Sequence, residues 1–177
     1  MMDAIPPCIL ECPDTAEIEM LRTAGVAIMS LAKPWAMKVA CGYLASDNRF
    51  EPHGRGDRWF AFDEVGAGDI VFWHWPTGRV TTWYGRTFAL GAEVIDNPGT
   101  YSFDCALNIF VDPLDWLRAN RDGIVVLDWD RAYDRLRDAS RIALAVILPR
   151  HNERSGHGQL GAHRRLCPFR PSRSCER

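Results

Sequence analysis

The chain has 177 residues, 47% of them hydrophobic and 25% charged, with a net charge of −2. These are ordinary globular values, and they exclude a chain too polar to build a core. No apolar run reaches the roughly 18 residues that a membrane-spanning helix needs.

The charge is uneven. Residues 150–177 hold seven Arg and two Glu, which leaves 14 basic and 21 acidic residues in 1–149. An acidic body argues against a broad nucleic-acid surface, while a local basic arm remains open. The N-terminus carries acids rather than a basic region followed by an apolar run, so the expected location is cytoplasmic. The six Cys (8, 12, 41, 105, 167, 175) are then expected to stay reduced.

Residues 1–13 read as an irregular arm. Asp14 can cap a helix through "AEIEMLRTAGVAIMSLA", with Glu17 at its third position and Ile18, Leu21, Ala24 or Gly25, and Ile28 at helical spacing. Pro34 kinks or ends that helix. A second short helix, "PWAMKVACGYLA", is expected to start at the same Pro. "SDNRFEPHGRGDR" reads as loop, and its Arg55-Gly56-Asp57 is an adhesion tripeptide by letters only.

Seven Trp is a high count, and five of them (59, 73, 75, 83, 116) fall within 58 residues. Trp59–Phe62 predicts a short strand. Ile70, Phe72 and His74 share one face of the next strand; Val71, Trp73 and Trp75 share the other. Pro76-Thr77-Gly78 is a hairpin loop with Gly where positive φ is needed, and Arg79–Tyr84 returns. An exposed aromatic face made by Trp73, Trp75 and Trp83, with Arg86 nearby, could stack bases or sugars. If the sheet is covered on both sides, the same Trp residues fill the core. Trp75 with Arg79 or Arg86 is a possible cation–π pair.

"AEVIDNPGTYSFDCA" reads as loop, and then the grammar changes. "ALNIFV", "IVVLDW" and "RIALAVIL" read as strands separated by two short helices, a β-α-β-α-β unit over Ala106–Leu148. Such alternation argues for parallel pairing. After Pro149 the periodicity stops, and 150–177 reads as a disordered basic tail or as a frame-shifted end. His157, His163, Cys167 and Cys175 could supply four zinc ligands, but they lack the paired C-x2-C spacing.

The expected fold class is therefore α+β: N-terminal helices, a Trp-rich antiparallel hairpin sheet and a C-terminal β-α-β-α-β unit, one domain over 14–149 followed by the tail. The acids in "NIFVDPLDWL" and "VVLDWDRA" carry the one constellation with chemistry in it. Asp112 before Pro113 suits an N-cap followed by Pro at the first helical position, and Asp128 or Asp130 can start the next helix in the same way. The same segments resemble toprim domains in outline. There a strand ends in Glu-Gly, a later strand ends in Asp-x-Asp, and the acids bind magnesium. That resemblance implies Asp112, Asp128 and Asp130 as metal ligands of a magnesium-dependent phosphoryl-transfer or nucleic-acid enzyme. It departs from the pattern in having Asp-Pro for Glu-Gly and one short helix between the two acidic positions.

No G-x-S-x-G elbow, G-x-G-x-x-G or P-loop is present. The expectation is a small bacterial accessory protein of the kind carried on mobile DNA. It would act as a non-enzymatic interaction module without a cofactor, through a protein partner or through nucleic acid bound by the tail. The alternatives are the magnesium enzyme and a truncated, inactive copy.

Overall fold

In the computed structural model, which describes residues 10–32, 35–137, 139 and 142–144, the chain enters through an antiparallel bridge between Glu11 and Val39. Asp14 then caps helix α1 (Thr15–Thr23). Its carboxylate accepts the Glu17 N–H, and the Glu17 side chain accepts the Asp14 N–H, each at 2.8 Å. This reciprocal capping box satisfies two of the donors a helix start leaves open. The single expected helix is in fact two. Gly25 (φ +91°) breaks it, and α2 covers only Ile28–Ala32.

The expected second helix is a strand. Lys38–Leu44 forms β1, hydrogen-bonded to β2 (Phe50–Pro52) on one side and to β3 (Asp57–Glu64) on the other. Pairing on both edges and burial of Val39 and Ala40 outweigh the local helical preference of Met-Lys-Val-Ala. The segment expected to be pure loop holds β2. β4 (Asp69–His74) and β5 (Arg79–Thr82) complete a five-stranded antiparallel sheet in the order β2-β1-β3-β4-β5. The hairpin between them closes through Gly78 (φ +69°), whose N–H donates to the His74 carbonyl.

This sheet curls until its edges meet. Arg49, just before β2, bridges Thr82 of β5, and the Thr81 hydroxyl donates to the Asn48 carbonyl. Side chains alternate strictly across it. Ala40, Phe50, Trp59, Ala61, Ile70 and Phe72 fill the inside of the curl. Val39, Phe60, Phe62, Val71 and Trp73 point outward into a second, shared core. Gly42 permits the tight inner packing: a Cβ there would lie 2.4 Å from both the Phe50 ring and the Glu51 carbonyl.

The second sheet is mixed, in the order β6-β8-β7-β9: β6 (Ala89–Leu90), β7 (Leu107–Phe110), β8 (Ile124–Val126) and β9 (Ile142–Leu144). β7 pairs parallel with β8 and β9, while β6 runs antiparallel to β8. Helices α3 (Pro113–Arg118) and α4 (Trp129–Arg137) make the connections, as the β-α-β-α-β pattern predicts. One face of this sheet (Leu90, Phe110, Val125) joins α1, α3 and the curled sheet in the shared core. The other face (Ala89, Leu107, Ile109, Ile124) packs with Ala132 and Leu136 of α4. The fold is α+β. No helix among the described residues is long and apolar enough to cross a membrane. The basic tail, the zinc candidates His157, His163, Cys167 and Cys175, and Pro34 lie outside the described residues.

Candidate functional site

The aromatic hairpin is covered on both faces. Trp73 is buried, packed edge-on against half-buried Trp75 at a centroid distance of 5.2 Å. Trp83 donates its backbone N–H across to Ile70 at 2.9 Å, and its ring leans on Phe72 and Phe50. The cation–π partner of Arg86 is Tyr84, at 4.5 Å, rather than Trp75. What holds Arg86 in place is its own N–H, which donates to Asp69.

Asp69 organises that whole corner. Its buried carboxylate accepts four backbone N–H groups, from Ile70 and Tyr84 on Oδ1 and from Arg86 and Thr87 on Oδ2. A charged acceptor satisfied this fully orders the turn that carries the chain from β5 to β6. The Arg131 guanidinium of α4 then docks on the carbonyls of the same turn, including Gly85 at 3.0 Å.

The three acids of the C-terminal unit sit at helix starts. Asp112 caps α3, accepting the Asp115 N–H at 3.0 Å, with Pro113 behind it. Asp128 precedes α4 and accepts the Arg131 N–H at 3.2 Å. Asp130 is exposed in the first turn of α4. Asp112 and Asp128 follow the adjacent parallel strands β7 and β8 and so lie at the same edge of the sheet. Among the described residues, no three or more His, Cys, Asp or Glu gather in a way that could hold a metal ion.

A different pair of titratable side chains is buried where the two sheets meet. Glu64 ends β3 and is 5% exposed; its carboxyl accepts the Gly91 N–H at 2.6 Å. Burial pushes that carboxyl up to about 8, against the lowering effect of the Gly91 and Ala92 N–H groups. Gly91 (φ +77°) is required here, since a Cβ would lie 2.8 Å from the Gly123 carbonyl. Arg121, just after α3, is 8% exposed and holds a left-handed backbone (φ +60°) directly after Asn120 (φ +61°). Its guanidinium lies against both rings of the edge-to-face pair Phe62 (5.5 Å) and Trp116 (5.2 Å). Burial brings its pKa down to about 10, opposed by the fields of Glu93 and Glu64. Nη1 donates to the Trp35 carbonyl at 3.0 Å, while Nε and Nη2 are buried without a partner among the described residues.

A second feature lies on α4. Trp129 and Tyr133, one turn apart, are 59% and 67% exposed, on the flank of the stripe that buries Ala132 and Leu136. Elsewhere on α4 an open depression is lined by Ile95, Tyr101 and Asp134 and crossed by the Arg135–Asp96 ion pair. Helical spacing sets Tyr133 on one face with Ala132, Leu136 and Ala139, but it is 67% exposed while Ala132 and Leu136 are buried; Glu64, Arg121 and Trp129 are not among the expected site residues. Glu64 is one of three acids, with Asp63 and Asp69, in "WFAFDEVGAGDIVFW", and nothing local singles it out. Compared with known families, curated proteins and solved structures, the chain matches none.

Proposed function

We propose that this chain is a non-enzymatic interaction module and that the outward flank of α4 is its contact surface, with a second copy of the chain as the occupant. The observation that carries this is the exposed pair Trp129 and Tyr133. Two large aromatics left in water on a helix that has already buried its core stripe contribute little to the fold, and such residues are enriched at contact surfaces.

The charge along α4 favours a copy of itself. Asp130 lies in the first turn and Arg137 in the last, both on the flank that carries Tyr133, while Arg135 on the far side of the helix is paired with Asp96. Two such helices crossing antiparallel about Tyr133 set the acidic start of each against the basic end of the other. The same crossing brings Trp129 towards Arg137, a cation–π combination. A two-fold contact of this kind is self-complementary. One nine-residue helix offers a small surface, so the pair is weak and concentration-dependent.

Sedimentation velocity over a wide concentration series tests it. The wild type is expected to shift from monomer towards dimer, and Trp129→Ala with Tyr133→Ala to stay monomeric at an unchanged melting temperature. A wild type that remains monomeric throughout, or a double variant that still pairs, overturns the proposal.

A further inference from the structure

We propose that the Arg121 side chain, at the seam between the two sheets, is a binding site for a small carboxylate. Arg121 is more than nine-tenths buried, and its Nε and Nη2 donors have no hydrogen-bond partner among the described residues. Those two N–H groups form one edge of the guanidinium plane and match the two oxygens of a carboxylate. The opposite side of the group is already fixed by the Nη1 bond to Trp35 and by the rings of Phe62 and Trp116. The fork is thus held in place with its donors unused, in a chain that otherwise leaves only the Trp73 indole N–H unpartnered among its described buried side-chain polar atoms.

The surroundings choose the class of anion. Glu64 on β3 and Glu93 after β6 are the charged groups whose fields reach Arg121. Glu64, desolvated and bonded to Gly91, carries its proton at neutral pH and does not neutralise the arginine. A singly charged carboxylate balances one guanidinium. A phosphate dianion would leave one surplus negative charge in an apolar seam within the field of Glu93. Neither nitrogen has solvent-exposed surface, so the ligand enters through a local opening of the seam.

The test uses acetate as the probe. At pH 7, acetate in place of chloride at equal ionic strength is expected to raise the melting temperature by a few degrees in a saturable way, through preferential binding to the folded state. Arg121→Lys keeps the charge but loses the planar fork and is expected to lose the rise. If that variant does not fold, the wild type still decides through pH. The rise should shrink above pH 8 as Glu64 ionises, and Glu64→Gln should preserve it there. Equal stability in acetate and chloride overturns the site, and so does a rise that persists in Arg121→Lys. A larger rise with phosphate overturns the assignment to a carboxylate.

Discussion

Phe50 stacks face to face on Phe72, with ring centroids 3.8 Å apart and planes 9° apart, although β2 and β4 are not neighbours in the sheet. The contact exists because the sheet curls and carries β2 over its own inner face. Gly42 clears the space for the Phe50 ring, and Trp59 closes the end with its indole N–H on the Gly42 carbonyl. Phe72 is fully buried inside this curl. Phe72→Ala is expected to cost about 3–5 kcal/mol, read by denaturant unfolding, since no neighbour can collapse into the space of a stacked ring.

The two classes of tryptophan should separate cleanly. Trp73 lies in the shared core at 2% exposure, so Trp73→Ala is expected to cost about 3–5 kcal/mol. Trp129 is 59% exposed, and Trp129→Ala is expected to change stability by no more than about 0.5 kcal/mol at concentrations where the chain is monomeric. Equal losses at both sites would mean that the α4 aromatics serve the fold.

Much of this fold was legible in local pattern, and the exceptions have a common cause. The capping box of α1, the 70–75 alternation and the β-α-β-α-β order all depend on residues within a few positions of one another, which is what periodicity reports. Lys38–Leu44 reads as helix because its neighbours in space, β2 and β3, lie further along the chain and are invisible to a local window. The same holds for β6, two residues long and defined wholly by its pairing with β8. The capping role of Asp112 and Asp128 is visible from Asp-Pro and from the acids before "RAYDRL". The burial of Glu64 and Arg121 is not, since charged side chains carry no mark of a seam formed by two distant sheets.

Asp69 offers a sharp test of a carboxylate used as scaffold. Both oxygens accept, so Asp69→Asn turns one acceptor into an NH2 group facing backbone donors. The loss is expected to be about 3 kcal/mol, larger than an isosteric change at an exposed site, because charge-assisted bonds are lost and buried N–H groups are left unpaired. Amide exchange of Tyr84, Arg86 and Thr87 should accelerate in the variant while that of β1 and β3 does not.

Glu64 predicts a pH dependence of defined sign. Its folded value, about 8, lies above the ordinary 4.5. Between those values the native state holds a proton that the unfolded state has released, so stability falls as pH rises through that window. The slope approaches about 1.4 kcal/mol per pH unit at most. Glu64→Gln retains an acceptor for the Gly91 N–H and is expected to flatten that slope and to be the more stable protein at pH 8. A wild type whose stability rises from pH 5 to pH 8 by as much as the variant's would show that Glu64 is ionised in the fold.

Asp112 and Asp128 bear on the choice between a helix-starting and a metal-binding role. Each carboxylate is already engaged by a backbone N–H of the helix it begins, at 3.0 Å and 3.2 Å. Asn accepts the same bond about as well, so Asp112→Asn and Asp128→Asn are expected to be nearly silent in thermal unfolding. Asp112→Ala should cost about 0.5–2 kcal/mol. A magnesium site makes the opposite demand, because a divalent ion that binds only the folded state raises the melting temperature by mass action, and Asn cannot replace a carboxylate ligand. Titrating magnesium against the wild type and both Asn variants separates the two roles. The expected outcome is three curves that do not move with magnesium. A wild-type rise that both variants abolish would make these acids metal ligands, and the toprim-like enzyme would become the stronger account of the chain.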